Sequence, residues 1–125
     1  MIKVMQLYPN HLDLNGDGGN AHILCLRAKW SGFRSELLTL KPGELPSSRP
    51  DVVVIGHGST AAWKQIYSEF SRLVPVIQDW MTQGTQVLAV SSGFAALHGL
   101  LPGLPDSIER VERRSEFVVE DFEGE

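Results

Sequence analysis

The chain alternates short apolar runs with longer segments in which apolar residues recur at helical spacing. The apolar runs predict strands at residues 2–7, 33–40, 52–55 and 86–90, and the periodic segments predict helices at 20–30, 63–83 and 93–101. Because residues 52–55 are apolar without alternation, they predict a central parallel strand. The order β-α-β-β-α-β-α predicts an α/β fold with a doubly wound, flavodoxin-like, mostly parallel sheet and helices on both faces.

Gly, Pro and Asn mark the expected boundaries of these elements. Asn20 is the predicted N-cap of the first helix, and Gly32 lies just past its end. Pro75 predicts a kink or a break in the second helix, because proline has no backbone N–H to donate. Residues 41–50, which contain three prolines, predict an exposed connection, and residues 116–119 suggest a further strand before an acidic tail.

Four side chains are predicted to be buried because they lie among the apolar positions of the helices. Cys25 lies mid-helix between apolar neighbours, so its thiol is expected to be unreactive. The others are Trp30, Trp63 and Trp80.

Residues 86–99, QVLAVSSGFAALHG, join an apolar strand to a helix through Ser91, Ser92 and Gly93. An α/β protein displays a nucleophile at such a turn, because the turn lifts one side chain out of the sheet and aims backbone N–H groups at charge developing beside it. The alternative is that Ser91 and Ser92 merely cap the helix that begins at Gly93.

This segment resembles the nucleophile elbow of class I glutamine amidotransferases, which has the form Cys-x-Gly-x-Gln after an apolar strand. Residues 7–20, LYPNHLDLNGDGGN, and residues 51–59, DVVVIGHGS, look like the cobyric acid synthase-like branch. The first of these is most similar to the amidotransferase subunit of lipid II isoglutaminyl synthase. The resemblance covers nearly all of the chain but only the N-terminal half of the family domain. It therefore implies that residues 1–125 form one shortened amidotransferase-like domain.

The resemblance also implies a set of site residues. Ser91 stands at the nucleophile position, where the family has Cys. Ala95 stands where the family has Gln, and the resemblance places Ala95 and Asn20 in the substrate pocket. The implied backbone donors to an oxyanion are Gly56, His57, Gly58 and Ser92.

Two departures from the family motif put glutaminase chemistry in doubt. A serine hydroxyl at position 91 is almost never ionised, so a strong general base becomes necessary, whereas a thiol has a pKa of about 8.5. The catalytic His of the family lies beyond residue 125. His57 is the remaining candidate base if its strand neighbours the elbow strand, and its other interpretation is a partly exposed loop residue.

The remaining polar residues favour structural roles. The acidic and amide side chains of the first loop lack the spacing of a calcium loop, so turn formation is the better interpretation. His22 and His98 are expected to be surface or packing residues. We expect no metal site and no cofactor.

Composition narrows the classes of partner. The chain has 42% hydrophobic and 21% charged residues and a formal net charge of −4, which argues against nucleic acid as a partner. No apolar run is long enough to span a bilayer, so no membrane partner is expected, and the single Cys25 fits a reducing cytoplasm.

These patterns favour a degenerate, non-catalytic amidotransferase-like domain that acts as a binding or assembly module. The resemblance implies a synthetase-type partner of the Mur-ligase kind. Two alternatives stay open. The first is an active or engineered-inactive glutamine amidotransferase present as a fragment, or a weak serine hydrolase that uses His57. The second is a small homodimeric protein that binds an amide or a carboxylate at the carboxyl ends of its strands. An apparent strand near the chain end would leave a sheet edge to be covered, which makes homodimerisation a hypothesis.

Overall fold

Four parallel strands and three helices make up the described part of the protein. The computed structural model describes residues 1–101. The strands are β1 (Ile2–Leu7), β2 (Ser35–Leu40), β3 (Val52–Ile55) and β4 (Gln86–Ala89), and they lie in the order β2-β1-β3-β4. The helices are α1 (Gly18–Trp30), α2 (Thr60–Thr82) and α3 (Ser92–Leu100). All three strand pairs are parallel, which confirms the α/β fold and the predicted order of elements. The predicted strand at 116–119 lies outside the described residues.

The side chains of the inner strands alternate between two apolar cores. Val4 and Val54 pack with Cys25 of α1, whereas Met5 packs in a larger core with Phe70 of α2. Because successive side chains of a strand point to opposite faces, α1 covers one face of the sheet and α2 covers the other. The paired neighbours of β3 on both sides confirm that it is a central parallel strand. Cys25 is buried, as predicted.

Helix α2 is one continuous helix through Pro75, so the alternative of a break there is wrong. Its first turn is capped by Ser59, whose hydroxyl accepts a hydrogen bond from the Ala62 N–H at 3.1 Å. Proline removes one backbone hydrogen bond from a helix, but Val74 and Ile77 are buried on either side of Pro75. Burial of this apolar face outweighs the lost hydrogen bond, since tertiary packing supplies most of a helix's stability. None of the helices in residues 1–101 has the length and hydropathy needed to cross a bilayer.

Helix α1 begins two residues earlier than predicted, and Asn20 is not its N-cap. Asp17 occupies the N-cap position and is only 2% exposed, while Asn20 lies exposed inside the first turn. The reason is that Asp13 supplies the capping oxygen, because its Oδ1 accepts from the Gly18 N–H at 2.7 Å. Gly32 has φ +88 just past the end of the helix, as predicted.

The prediction that all three tryptophans are core residues is wrong for Trp30, which is 76% exposed. The buried stripe of α1 contains Ala21, Cys25 and Ala28, and Trp30 lies about 200° around the helix from Ala28. Trp80 is buried, and Trp63 packs edge-on against Phe70 with ring centroids 5.1 Å apart.

Tyr8 ends β1 in a backbone conformation unusual for a residue with a side chain. Its φ is 49°, and its carbonyl accepts hydrogen bonds from the N–H groups of His11 and Leu12 at 3.0 and 2.9 Å. The side chain is 2% exposed. Burial, reinforced by the negative charge of Glu69, raises the pKa of the Tyr8 hydroxyl to about 12.

This pKa predicts a loss of stability at alkaline pH that depends on Tyr8. The hydroxyl is neutral in both states below its ordinary pKa of about 10, and above that pH only the unfolded chain gains by ionising. The free energy of unfolding should therefore fall as pH rises from about 10 to 12, by on the order of 2 kcal/mol after allowance for solvent screening. Urea unfolding of the unmodified chain and Tyr8→Phe across this range should show the stability of the unmodified chain relative to Tyr8→Phe falling by this amount. A constant difference at every pH would contradict this assignment.

Candidate functional site

Three chain segments meet at the carboxyl edge of the sheet. They are the loop after β1, the glycine-rich loop Gly56–Gly58 after β3, and the turn at Ser91 after β4. Because β1, β3 and β4 are parallel neighbours, their carboxyl ends lie side by side. The Val90 N–H donates to the Ile55 carbonyl at 2.9 Å, which brings the last two segments together.

Ser91 has the backbone geometry of a nucleophile elbow. Its φ is 53° and its ψ is −115°, a sparsely populated conformation for any residue other than glycine, and its side chain is exposed. Helix α3 begins at the next residue, and the Ala95 N–H donates to the Ser91 carbonyl at 3.0 Å. Ser91 makes no side-chain capping hydrogen bond, so helix capping does not explain this serine.

Three glycines allow the segments to approach so closely. A Cβ on Gly93 would lie 2.5 Å from the Gly56 carbonyl oxygen and 2.8 Å from that of Ile55. A Cβ on Gly56 would lie 2.7 Å from the Asp17 Cβ, and one on Gly58 would lie 2.7 Å from the His11 carbonyl oxygen. Backbone therefore packs against backbone where α3 starts, and only glycine fits at these positions.

The Ser92 hydroxyl joins the glycine-rich loop to helix α2. It accepts hydrogen bonds from the Gly58 N–H at 3.0 Å and from Trp63 Nε1 at 2.8 Å, and it donates to the Gly58 carbonyl at 3.2 Å. A hydroxyl has one donor and two acceptor lone pairs, so all of its hydrogen-bonding capacity is used. Ser92 thus holds the elbow in place through its side chain, which the capping interpretation did not include.

His57 lies beside the elbow, where the neighbouring strands were expected to bring it. Its backbone N–H donates to the buried carboxylate of Asp17 at 2.9 Å. Its Nδ1 accepts from the Ser92 N–H at 3.3 Å, so the neutral ring carries its proton on Nε2. Within residues 1–101, no hydrogen bond joins His57 to Ser91, and the ring nitrogen with the free electron pair is already occupied.

The predicted oxyanion donors are therefore engaged by the chain itself. The N–H groups of His57, Gly58 and Ser92 each donate to a side chain of another segment. The Gly56 backbone packs against the Asp17 side chain and against Gly93. In this arrangement the donors converge on side-chain atoms of Asp17, Ser92 and His57, and a ligand would have to displace these atoms.

The implied substrate-pocket residues lie on different helices. Ala95 is exposed in the first turn of α3, and Asn20 is exposed in the first turn of α1. His22 is also exposed on α1, and His98 stacks on Phe94 with ring centroids 5.8 Å apart. The positions of His22 and His98 fit surface and packing roles.

A shallow cavity of about 300 Å³ lies between the loop after β1 and the start of α2. Ser91 and Ala95 are not among the residues that line it. The lining residues are Asn10, His11, Asp13, Leu14, Ser59 and Ala62. In the described part of the chain, no group of three His, Cys, Asp or Glu side chains is arranged to hold a metal ion.

Sequence reasoning missed two residues of this junction, Asp17 and Trp63. Asp17 was interpreted as a turn residue, and Trp63 as core. Residues 16–20, GDGGN, contained a signal for Asp17, because a carboxylate inside a glycine-rich loop has backbone N–H groups within reach. The Trp63 indole had no comparable signal, since its partner is 29 residues away.

No protein-family model matches the chain, and no curated protein matches it significantly. The amidotransferase resemblance therefore stays a prediction from the three sequence motifs.

Replacing Ser91 with glycine should stabilise the protein if the elbow is strained. Strain at such a residue is on the order of 1–3 kcal/mol, and glycine loses about 0.5–1 kcal/mol more in backbone entropy on folding. The net gain in the free energy of unfolding should be about 1 kcal/mol, measured by urea denaturation. The control Ser31→Gly, at φ −87 and ψ 7, has no such strain to relieve and should not stabilise. Equal effects of the two changes would contradict strain at Ser91.

A methyl group at Gly56 should disrupt the junction, because its Cβ would collide with Asp17 and with the Leu12 carbonyl. Gly56→Ala is expected to lower the free energy of unfolding by about 1–3 kcal/mol. Gly19→Ala is the control, since its Cβ would meet nothing within 4 Å and alanine favours a helix. Thermal and urea unfolding of both variants measure the difference. If Gly56→Ala left the free energy of unfolding unchanged, the loops would have to separate readily, which would contradict this prediction.

Proposed function

We propose that this chain is a degenerate amidotransferase-like domain that keeps the nucleophile elbow without hydrolysing glutamine. Its role is that of a binding or assembly module beside a synthetase-type partner in the cytoplasm. The fold in this proposal is a class I amidotransferase-like domain with a doubly wound, flavodoxin-like sheet. The observation that carries the proposal is the backbone of Ser91, whose φ of 53° and ψ of −115° are those of an elbow that presents a nucleophile.

Two features of the site argue against turnover. A serine nucleophile needs a base within hydrogen-bond reach, and His57 instead points its free Nδ1 at the Ser92 N–H. Ala95 removes the amide side chain that stands at the same position in the family motif.

The binding role is supported by features of the elbow that do not depend on a reactive nucleophile. The strained elbow, three close-packed glycines and the Ser92 hydrogen bonds persist although the nucleophile is a hydroxyl. Two apolar side chains of β4 and α3, Leu88 and Phe94, are each 40% exposed in the described structure. Each lies three residues from Ser91 in the sequence and supplies apolar surface that a synthetase-type partner would bury.

Ammonia release from glutamine tests the loss of chemistry. We expect none from the unmodified chain, and none from Ser91→Cys or Ser91→Cys with Ala95→Gln, because His57 Nδ1 is engaged by the Ser92 N–H and does not relay the proton of the nucleophile. A coupled glutamate dehydrogenase assay measures the product. Activity of the unmodified chain would refute the proposal, and activity of the Cys variants alone would point to the rival form, an amidotransferase inactivated at one position.

Association with a synthetase tests the second half of the proposal. Light scattering of the chain mixed with the synthetase subunit of lipid II isoglutaminyl synthase should give a mixed complex, and Leu88→Asp with Phe94→Asp should weaken it at least tenfold. Ile23→Asp is the matched control, since Ile23 is 51% exposed on α1. A stable homodimer with no mixed complex would favour the ligand-binding alternative.

A further inference from the structure

His57 and Ser92 hold each other's segment through a reciprocal pair of hydrogen bonds. The backbone N–H of Ser92, at the elbow, donates to His57 Nδ1 at 3.3 Å. The backbone N–H of Gly58, in the glycine-rich loop, donates to Ser92 Oγ at 3.0 Å. Each segment therefore supplies one side chain that occupies a donor of the other, and we call the side chains of His57 and Ser92 the latch.

The two halves of the latch differ in strength. The Ser92 hydroxyl is held by three hydrogen bonds, including one from the Trp63 indole at 2.8 Å. The His57 contact is a single bond at the long end of the range for N–H donors. His57 and Ser92 are both partly exposed, so rotation of the His57 ring is the easier way to open the site.

We propose that the latch is an autoinhibitory contact that keeps the elbow closed to a carboxylate or amide ligand. This inference rests on the amidotransferase-like function proposed above and assigns a regulation to the same site. With the His57 ring turned away, the N–H of Ser92 is free at the start of α3, where such a group binds negative charge or a carbonyl oxygen, while the N–H of Gly58 stays on Ser92 Oγ. Because only open molecules bind, the apparent affinity for a ligand equals the intrinsic affinity multiplied by the fraction of molecules that are open.

Charge around His57 favours a neutral ligand atom or a single carboxylate oxygen over a polyanion. The Asp17 carboxylate already accepts from the His57 N–H on the side of the first loop. Neither Ser92 nor any other residue of α3 carries a negative side chain, and its histidine, His98, lies in the last turn. The open site thus has one anionic neighbour on the loop side and helix N–H groups on the other.

Titration with L-glutamate, followed by ¹⁵N–¹H NMR at constant ionic strength, tests the proposal. The amide of Ser92 should shift at an at least tenfold lower glutamate concentration for His57→Ala than for the unmodified chain. His22→Ala, an exposed histidine on α1, is the matched control and should behave like the unmodified chain. A folded His57→Ala that binds glutamate no better than His22→Ala would overturn the proposal.

A second measurement keeps the proposal testable if His57→Ala does not fold. The Trp63 indole N–H of the unmodified chain, identified by its loss in Trp63→Phe, should exchange slowly with solvent while Ser92 holds it. Exchange as fast as that of the exposed Trp30 indole would overturn the latch. Glutamine hydrolysis by the unmodified chain would refute the proposed function instead, and the glutamate titration would still decide whether the latch controls access.

Discussion

The close approach of three backbones at the carboxyl edge of the sheet is the constraint on which the rest of the described fold depends. The glycine-rich loop lies so close to the start of α3 and to the loop after β1 that a Cβ on Gly56, Gly58 or Gly93 would collide with a backbone oxygen. Such an approach buries backbone donors, and each buried donor needs an acceptor. Asp17, Ser92 and His57 supply these acceptors, so the identity of three side chains follows from the presence of three glycines.

The strain at Ser91 is sustained by this junction. A non-glycine residue in such a conformation persists only where the surrounding structure holds it on both sides. Val90 is bound to the end of β3, and Ser92 is bound to Gly58 and Trp63, so Ser91 has little freedom between them. In hydrolases this geometry presents a nucleophile. Here the same backbone geometry carries a hydroxyl, and the neighbouring His57 imidazole accepts a hydrogen bond from the Ser92 N–H instead of contacting Ser91.

Much of the fold was predictable because the relevant signals are local. The unbroken apolar run of β3, the helical spacing of α2 and the glycines after α1 and α2 each determine an element within a few residues. The start of α1 was not predictable from such signals, because Asp17 is held there by His57, 40 residues away. The exposure of Trp30 follows from its angle of about 200° from Ala28, which the apolar character of the side chain does not indicate. Continuity through Pro75 depends on packing against the sheet, which the sequence does not display.

The elbow itself was the part of the site that sequence reasoning located best. Its position after an apolar strand and its small residues are visible in the sequence, and the structure brings His57 beside it. The hydrogen-bonding roles were not visible, because side-chain rotation decides whether a serine caps a helix or reaches another loop. Ser92 takes the second course, and its indole partner lies on a helix that the sequence marks only as core.

Helix α2 is anchored to other segments near both of its ends, and Pro75 removes one backbone hydrogen bond near its middle. Its 23 residues span about 35 Å. Near one end the Trp63 indole binds the elbow, and near the other the Trp80 carbonyl accepts from the Thr85 N–H just before β4. Pro75 leaves the Ser71 carbonyl without its helical partner between these anchors. The helix is therefore held by tertiary hydrogen bonds near both ends, and the one interruption of its backbone ladder lies between these anchors.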